Sequence, residues 1–132
     1  MNDRYLYRAK RIDNDEWTYG YLYGIWERKY ILWGMTNNVP DMTEVEPSTI
    51  CQCTGLKDKN GKLIWENDIM VGYLDDMYPE NATYAQVIWD KNGFYTKEQY
   101  SDDISLMDEF DEKHFEVCGN IFDNPELLEV GE

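Results

Sequence analysis

Few side chains of this 132-residue chain are suited to nucleophilic or soft-metal chemistry: Cys51, Cys53, Cys118 and the one histidine, His114. Four such groups match a tetrahedral zinc site in number, but structural zinc draws on ligands two to four residues apart on a tight knuckle. Cys51-Gln52-Cys53 instead places two thiols on one face of a strand, with His114 and Cys118 far along the chain. The three cysteines are therefore expected to be small buried hydrophobes that bind no metal. Their odd number also argues against an intramolecular disulfide. His114 follows Lys113, and no elbow sets a serine or cysteine beside it, so there is no basis for a nucleophilic triad. Dinucleotide and phosphate-loop glycine patterns are absent. The 27 acidic residues guarantee chance carboxylate pairs and so nominate no hydrolase. The expectation is a non-enzymatic protein with no cofactor and no evident small-molecule substrate.

The acidic residues matter more as a field. A formal charge of -15 and a pI near 4.3 oppose direct binding to nucleic-acid phosphates and to anionic membranes. The densest acidic stretch is Ser101 to Lys113, where Asp102, Asp103, Asp108, Glu109, Asp111 and Glu112 surround Ile104, Met107 and Phe110. Recurrence every three residues predicts a short helix with one narrow apolar stripe, with Ser101 and the following acids in its first turn. Those six carboxylates are the candidate partner surface. They form either a solvated face over a core-facing stripe, or a mimic of a phosphate backbone docking on a basic partner.

The elements that must position these groups are mostly strands. Eleven Tyr, five Trp and four Phe favour half-buried pleated surfaces. Tyr5-Leu6-Tyr7-Arg8-Ala9 predicts a first strand and Asp13 to Glu16 the turn after it. Trp17, Tyr19, Tyr21, Tyr23 and Ile25 then alternate with Thr18, Gly20, Leu22, Gly24 and Trp26, which predicts a strand with one aromatic face. That face is read as core cover, with a ligand platform as the alternative. Gly20 and Gly24 predict a bend, a bulge or a close approach of another backbone. Glu27 to Lys29 predicts a turn into the strand Tyr30 to Trp33. From Gly34 to Pro47 no periodicity supports an element, so a surface loop is expected, as a plain connection or as a lid or partner site. Further strands are predicted around Asp58-Lys59-Asn60-Gly61, at Ile69 and Val71, at Tyr84 to Trp89, at Phe94 to Thr96 across a Lys91-Asn92-Gly93 turn, and at Phe115 to Cys118. Leu74 to Thr83 reads as a second loop. Asn124-Pro125-Glu126-Leu127-Leu128 predicts one helical turn with Asn124 as its N-cap.

Two of these segments carry a resemblance. Thr54-Gly55-Leu56-Lys57-Asp58-Lys59-Asn60-Gly61-Lys62-Leu63-Ile64-Trp65-Glu66-Asn67-Asp68-Ile69 is similar to a pattern of the YopX family of phage and prophage proteins, approximately TGLKDKNGKxIxEGDIV. Gly119-Asn120-Ile121-Phe122-Asp123-Asn124-Pro125-Glu126-Leu127-Leu128 resembles the family's later xGNIxxNPELL. Tyr7 to Arg11 and Trp17 to Leu22 are similar to its amino-terminal half, so the resemblance spans nearly the whole chain. Asn67 stands where the family has glycine, and asparagine tolerates the left-handed region. Cys53 and Cys118 stand where it usually has larger apolar residues. The resemblance implies an antiparallel multi-sheet fold, mainly β, mixing sandwich and barrel features, with one or two short helices; it implies no established activity.

A chain of 132 residues suits one domain with a single core, an amino-terminal part over about 1–47 and a motif-bearing part over about 48–132. No apolar run approaches the roughly 20 residues that span a bilayer, and Met1 to Arg11 lacks the form of a secretory signal. The expected compartment is the cytoplasm of a bacterial host, where Asn81-Ala82-Thr83 is a chance sequon. The expected role is a protein-binding or assembly module, as a homo-oligomer or with a protein partner. The alternative is an acidic inhibitor or nucleic-acid mimic acting on a host DNA- or RNA-binding protein.

Overall fold

The structure, a computed structural model, describes residues 5–73, 82–90, 93–99, 104–107 and 114–128. The chain divides into two compact units, Met1–Cys53 and Thr54–Glu132. Antiparallel strands make up both, as the composition predicts.

In the first unit β1 (Tyr7–Lys10), β2 (Trp17–Ile25), β3 (Arg28–Thr36) and β4 (Val39–Val45) follow one another as hairpins, and β1 also pairs with the start of β5 (Cys51–Lys57). The β1–β2 turn is closed by the Arg11 amide donating to the Glu16 carbonyl at 2.8 Å. The Arg11 guanidinium also donates two bonds to the Asp13 carboxylate, which raises the arginine pKa and lowers that of the aspartate at the surface. Gly34 to Pro47, expected as a surface loop, instead holds a hairpin. Asn37 and Asn38 both take positive φ, 53° and 66°, as a two-residue turn matched to strand twist demands, and β4 follows with Pro40 on an outer strand where a missing N–H is tolerated. The end of β4 curls towards β1 through an Arg11–Val45 bridge and an amide of Glu46 donating to the Lys10 carbonyl. Among the described residues no barrel closes. The core is small: Ala9, Ile31 and Val45, fully buried, with Tyr7 and Ile50 against them.

In the second unit the rest of β5 and β6 (Leu63–Trp65) flank the Asp58-Lys59-Asn60-Gly61 turn. A five-stranded sheet has the order β10-β9-β8-β7-β11, with β7 at Asp68–Tyr73, β8 at Ala82–Asp90, β9 at Gly93–Glu98, β10 at Ile104–Leu106 and β11 at Phe115–Asn120. Its core is Ile64, Met70, Val87 and Met107, with Leu56, Phe94, Phe115 and Val117 packed around them. The helix expected over Ser101 to Lys113 is corrected where it is described, since Ile104, Ser105 and Leu106 pair with Lys97, Thr96 and Tyr95. Exposed Ile104 and buried Met107 share no helical stripe; a sheet edge offers this segment ladder bonds that an isolated short helix lacks.

Both recurring motifs are built from polar side chains turned on backbone amides. Asp58 is 5% exposed, and its carboxylate accepts three N–H bonds at 2.9 Å: from Asn60 and Lys62 within its own turn, and from Val117 on β11. The Lys59 amide donates to the Phe115 carbonyl beside it. Asn67 takes φ 70°, the left-handed corner expected of it, and its side-chain carbonyl accepts from Gln86 on β8. A bulge at Cys118 interrupts the pairing of β11 with β7, which resumes at Gly119 and Asn120. Beyond it the Asn120 carbonyl oxygen of the side chain accepts from the amides of Phe122 and Asp123. Asn124, expected as an N-cap, instead turns its side-chain oxygen back to the Asn120 amide. Gly119 makes room for it, because a Cβ there would lie 2.5 Å from that oxygen. Pro125–Leu128 forms a 3-10 turn with Leu127 and Leu128 half-buried.

Replacing Asp58 by Ala leaves three inward-facing amides without their acceptor and is expected to cost on the order of 3 kcal/mol in urea denaturation. Asp58→Asn, which keeps one acceptor but turns an NH2 on the Val117 amide, is expected to fall between. A cost under about 0.5 kcal/mol for the alanine variant would contradict the assignment.

Candidate protein-binding face

Strand β2 changes partner in its middle. Tyr7 lies opposite Gly20 and Ala9 opposite Thr18 on the β1 side; Tyr21 lies opposite Leu32, Leu22 opposite Ile31 and Tyr23 opposite Tyr30 on the β3 side. Residues directly opposite share a face, so Thr18, Gly20 and Leu22 stand with the core residues Ala9 and Ile31. The alternate set, Tyr19, Tyr21, Tyr23 and Ile25, stands on the other face. It is not core cover: these four are 49, 40, 45 and 40% exposed. The expectation of a core under aromatic cover is corrected: the core lies under the other face, where the strands approach too closely at Gly20 for any larger group, and further along even Leu22, opposite Ile31, is 38% exposed. A Cβ on Gly20 would lie 2.0 Å from the Leu32 carbonyl oxygen.

An apolar groove of about 540 Å³ opens at one end of this face, between Tyr19, Tyr21, Leu32, Trp33, Met35 and Pro40. Trp33 is the extra residue of a bulge in β3, between Leu32 and Gly34. Its indole N–H donates to the Thr43 hydroxyl at 3.1 Å, while the ring stays 54% exposed. Beyond Tyr19 the Trp17 ring lies under the Arg8 guanidinium at 4.6 Å and the Lys10 ammonium at 5.5 Å, a cation–π stack that screens that end of the row.

Trp26 marks the opposite end. Ile25 pairs with Arg28, so Trp26 and Glu27 are a two-residue turn, expected one position later in the sequence. Trp26 takes φ 60° and is 93% exposed. A bulky residue in the left-handed region costs roughly 1–2 kcal/mol that glycine would avoid, and here no burial of the ring offsets it. With Ile25, Glu27, Arg28 and Tyr30 the indole bounds a second hollow of about 520 Å³. Ile25, Arg28 and Tyr30 belong to the aromatic face, which places Trp26 at its rim.

The groups singled out by their chemistry do not converge. Cys51 and Cys53 are buried, whereas Cys118 is exposed at its bulge, a correction to the expectation that all three are buried. The Cys118 thiol donates to the Ile69 carbonyl, and its pKa is raised by desolvation first, with Glu116 and Asp68 adding to it, so it is held as the unreactive thiol. His114 is exposed. Among the described residues no group of three or more His, Cys, Asp or Glu is placed to hold a metal ion. Asp102, Asp103, Asp108, Glu109, Asp111 and Glu112 lie outside the described residues, as do all but the last two residues of the expected Leu74 to Thr83 loop. Among the described residues no helix is long and apolar enough to cross a membrane.

The fold and its open face define an all-β protein of two antiparallel sheets. Over residues 6–129 the sequence matches the family described as YopX protein, and the chain belongs to the YopX family. In fold it is similar to the crystal structure of protein EF1440 from Enterococcus faecalis, with a TM-score of 0.60 at 22% identity over 93% of this chain and 96% of that one. Among curated proteins there is no match.

Gly20→Ala is expected to cost about 2–3 kcal/mol, since its Cβ meets backbone that only a strand shift can clear. Gly24→Ala meets only the far end of the Lys29 side chain, at 3.1 Å, and is expected to cost far less. Equal costs for the two in thermal denaturation would contradict the strand approach described.

Proposed function

We propose that this chain is a non-enzymatic protein-binding or assembly module, encoded by a phage or prophage and acting in the cytoplasm of its bacterial host, and that it binds through the aromatic face of β2 to β4. The observation that carries this reading is the exposure of Tyr19, Tyr21, Tyr23 and Ile25 on the side of the sheet away from its core. Tyr and Trp are the residues enriched at interface centres, where their rings are rigid and their polar ends find partners. Among the described residues the groove beside them is lined by aliphatic and aromatic groups, with Tyr19 and Tyr21 contributing polar phenols.

Charge is distributed in a way that favours the same face. Residues 1–53 hold eight Asp and Glu against six Lys and Arg, a net charge of -2, which leaves -13 of the chain's -15 on 54–132. That acidity supports the second reading, an acidic inhibitor or nucleic-acid mimic acting on a host DNA- or RNA-binding protein. Salt separates the two: at about 1 M the Debye length is roughly 3 Å, so a charge-led complex dissociates and an apolar one persists.

With a photo-crosslinking amino acid in place of Tyr21 or Tyr23 in producing cells, crosslinks to protein are expected that survive about 1 M salt. The same probe at Glu126, in the second unit, is expected to give none. Absence of crosslinks from both tyrosine positions would overturn the proposal, and crosslinks from Glu126 alone would favour the acidic reading.

A further inference from the structure

The aromatic face ends in a projection at one side and a recess at the other. Trp26 projects from the β2–β3 turn, while the groove between Tyr21, Leu32, Trp33, Met35 and Pro40 lies at the far end of the same strands. Trp26 lies five positions after Tyr21, roughly 16 Å at the rise of a strand. We infer that the occupant of this face is a second copy of the chain, stacked face to face about a two-fold axis near Tyr23, so that the Trp26 indole of each copy seats in the groove of the other. The inference rests on the proposed aromatic binding face and names its partner.

A two-fold contact requires one surface to be complementary to itself. A projection and a recess at opposite ends of one face meet that requirement, because antiparallel stacking brings each projection over the other copy's recess. Charge permits the approach: the unit that holds the face is nearly neutral, at -2, although the whole chain at -15 repels its own kind. Area suffices as well. Aromatic side chains carry roughly 150–250 Å² each, so Tyr19, Tyr21, Tyr23, Trp26 and Trp33, two-fifths to nine-tenths exposed, offer with Ile25 and Met35 about 700 Å². A standard interface takes about 600–1,000 Å² from each partner, and this area lies within that range. The left-handed φ of Trp26 fits this use, since glycine there would relieve the turn and forfeit the anchor.

Sedimentation of the full chain over a concentration series tests the inference. A dimer that persists at about 1 M salt is expected. Trp26→Gly is expected to weaken it at least about tenfold while leaving the melting temperature of the monomer unchanged or higher. Met35→Asp, which places a carboxylate in the groove, is expected to weaken it comparably. An equimolar mixture of the two variants is expected to form mixed dimers tighter than either variant alone, because one Trp26 and one open groove still meet. A wild-type chain monomeric at millimolar concentration, or a dimer indifferent to both variants, would overturn the inference. A monomer that still crosslinks from Tyr21 to other proteins would overturn it and leave the proposed function standing.

Discussion

Everything distinctive about the amino-terminal unit depends on the approach of the Leu32 carbonyl to Gly20, at a distance no Cβ allows. At that residue β2 passes from its pairing with β1 to its pairing with β3. At that passage only a small group fits on the inner face, so Gly20, with Thr18 before it, lies on the side of Ala9; Leu22 further on lies with Ile31, and the tyrosines lie on the other face. Strand periodicity then leaves no choice: a one-residue slip would exchange the two sets and drive four bulky side chains into a core built around Ala9, Ile31 and Val45. The exposed aromatic row is thus a consequence of packing, and the proposed binding surface follows from the same geometry that folds the strand.

The second unit solves a different problem. Its two motifs use short polar side chains as substitutes for strand partners, with Asp58 and Asn120 each satisfying two or more backbone amides. These side chains are occupied by backbone amides and so hold the structure of the two motifs. The unit carries nearly all of the chain's net charge, and the first unit carries all four arginines. The net charge is thus concentrated in one unit and nearly balanced in the other.

Much of this was legible from residue types. The turns at Asp13 to Glu16 and at Asn60-Gly61, the corner at Asn67, and the strands from Tyr84 and Phe115 follow from alternation and from residues that tolerate positive φ. The β3–β4 hairpin carried a signal too, the Asn37-Asn38 pair between Thr36 and Val39, but Val39-Pro40 and Glu46-Pro47 gave it the look of a loop. Ile104 and Met107 share a spacing of three by chance; a three-residue edge strand is too short for periodicity to reveal. The direction of the aromatic row was not readable at all. Alternation says that two faces differ, and only the pairing of Ala9 with Thr18 and of Ile31 with Leu22 says which is inner. Cys118 was misplaced for a related reason, since a bulge turns its side chain off the regular alternation.

The central claim is that the outer face of β2 to β4 is the part of the molecule that another protein covers. Hydroxyl-radical footprinting of the purified chain from dilute to concentrated solution, at about 1 M salt, addresses it residue by residue. Trp26, Trp33 and Tyr21 should lose reactivity together as concentration rises, while Trp89, 46% exposed on the other unit and edge-on to Phe94, stays constant. Constant reactivity at all four, or protection of Trp89 alone, would contradict the account.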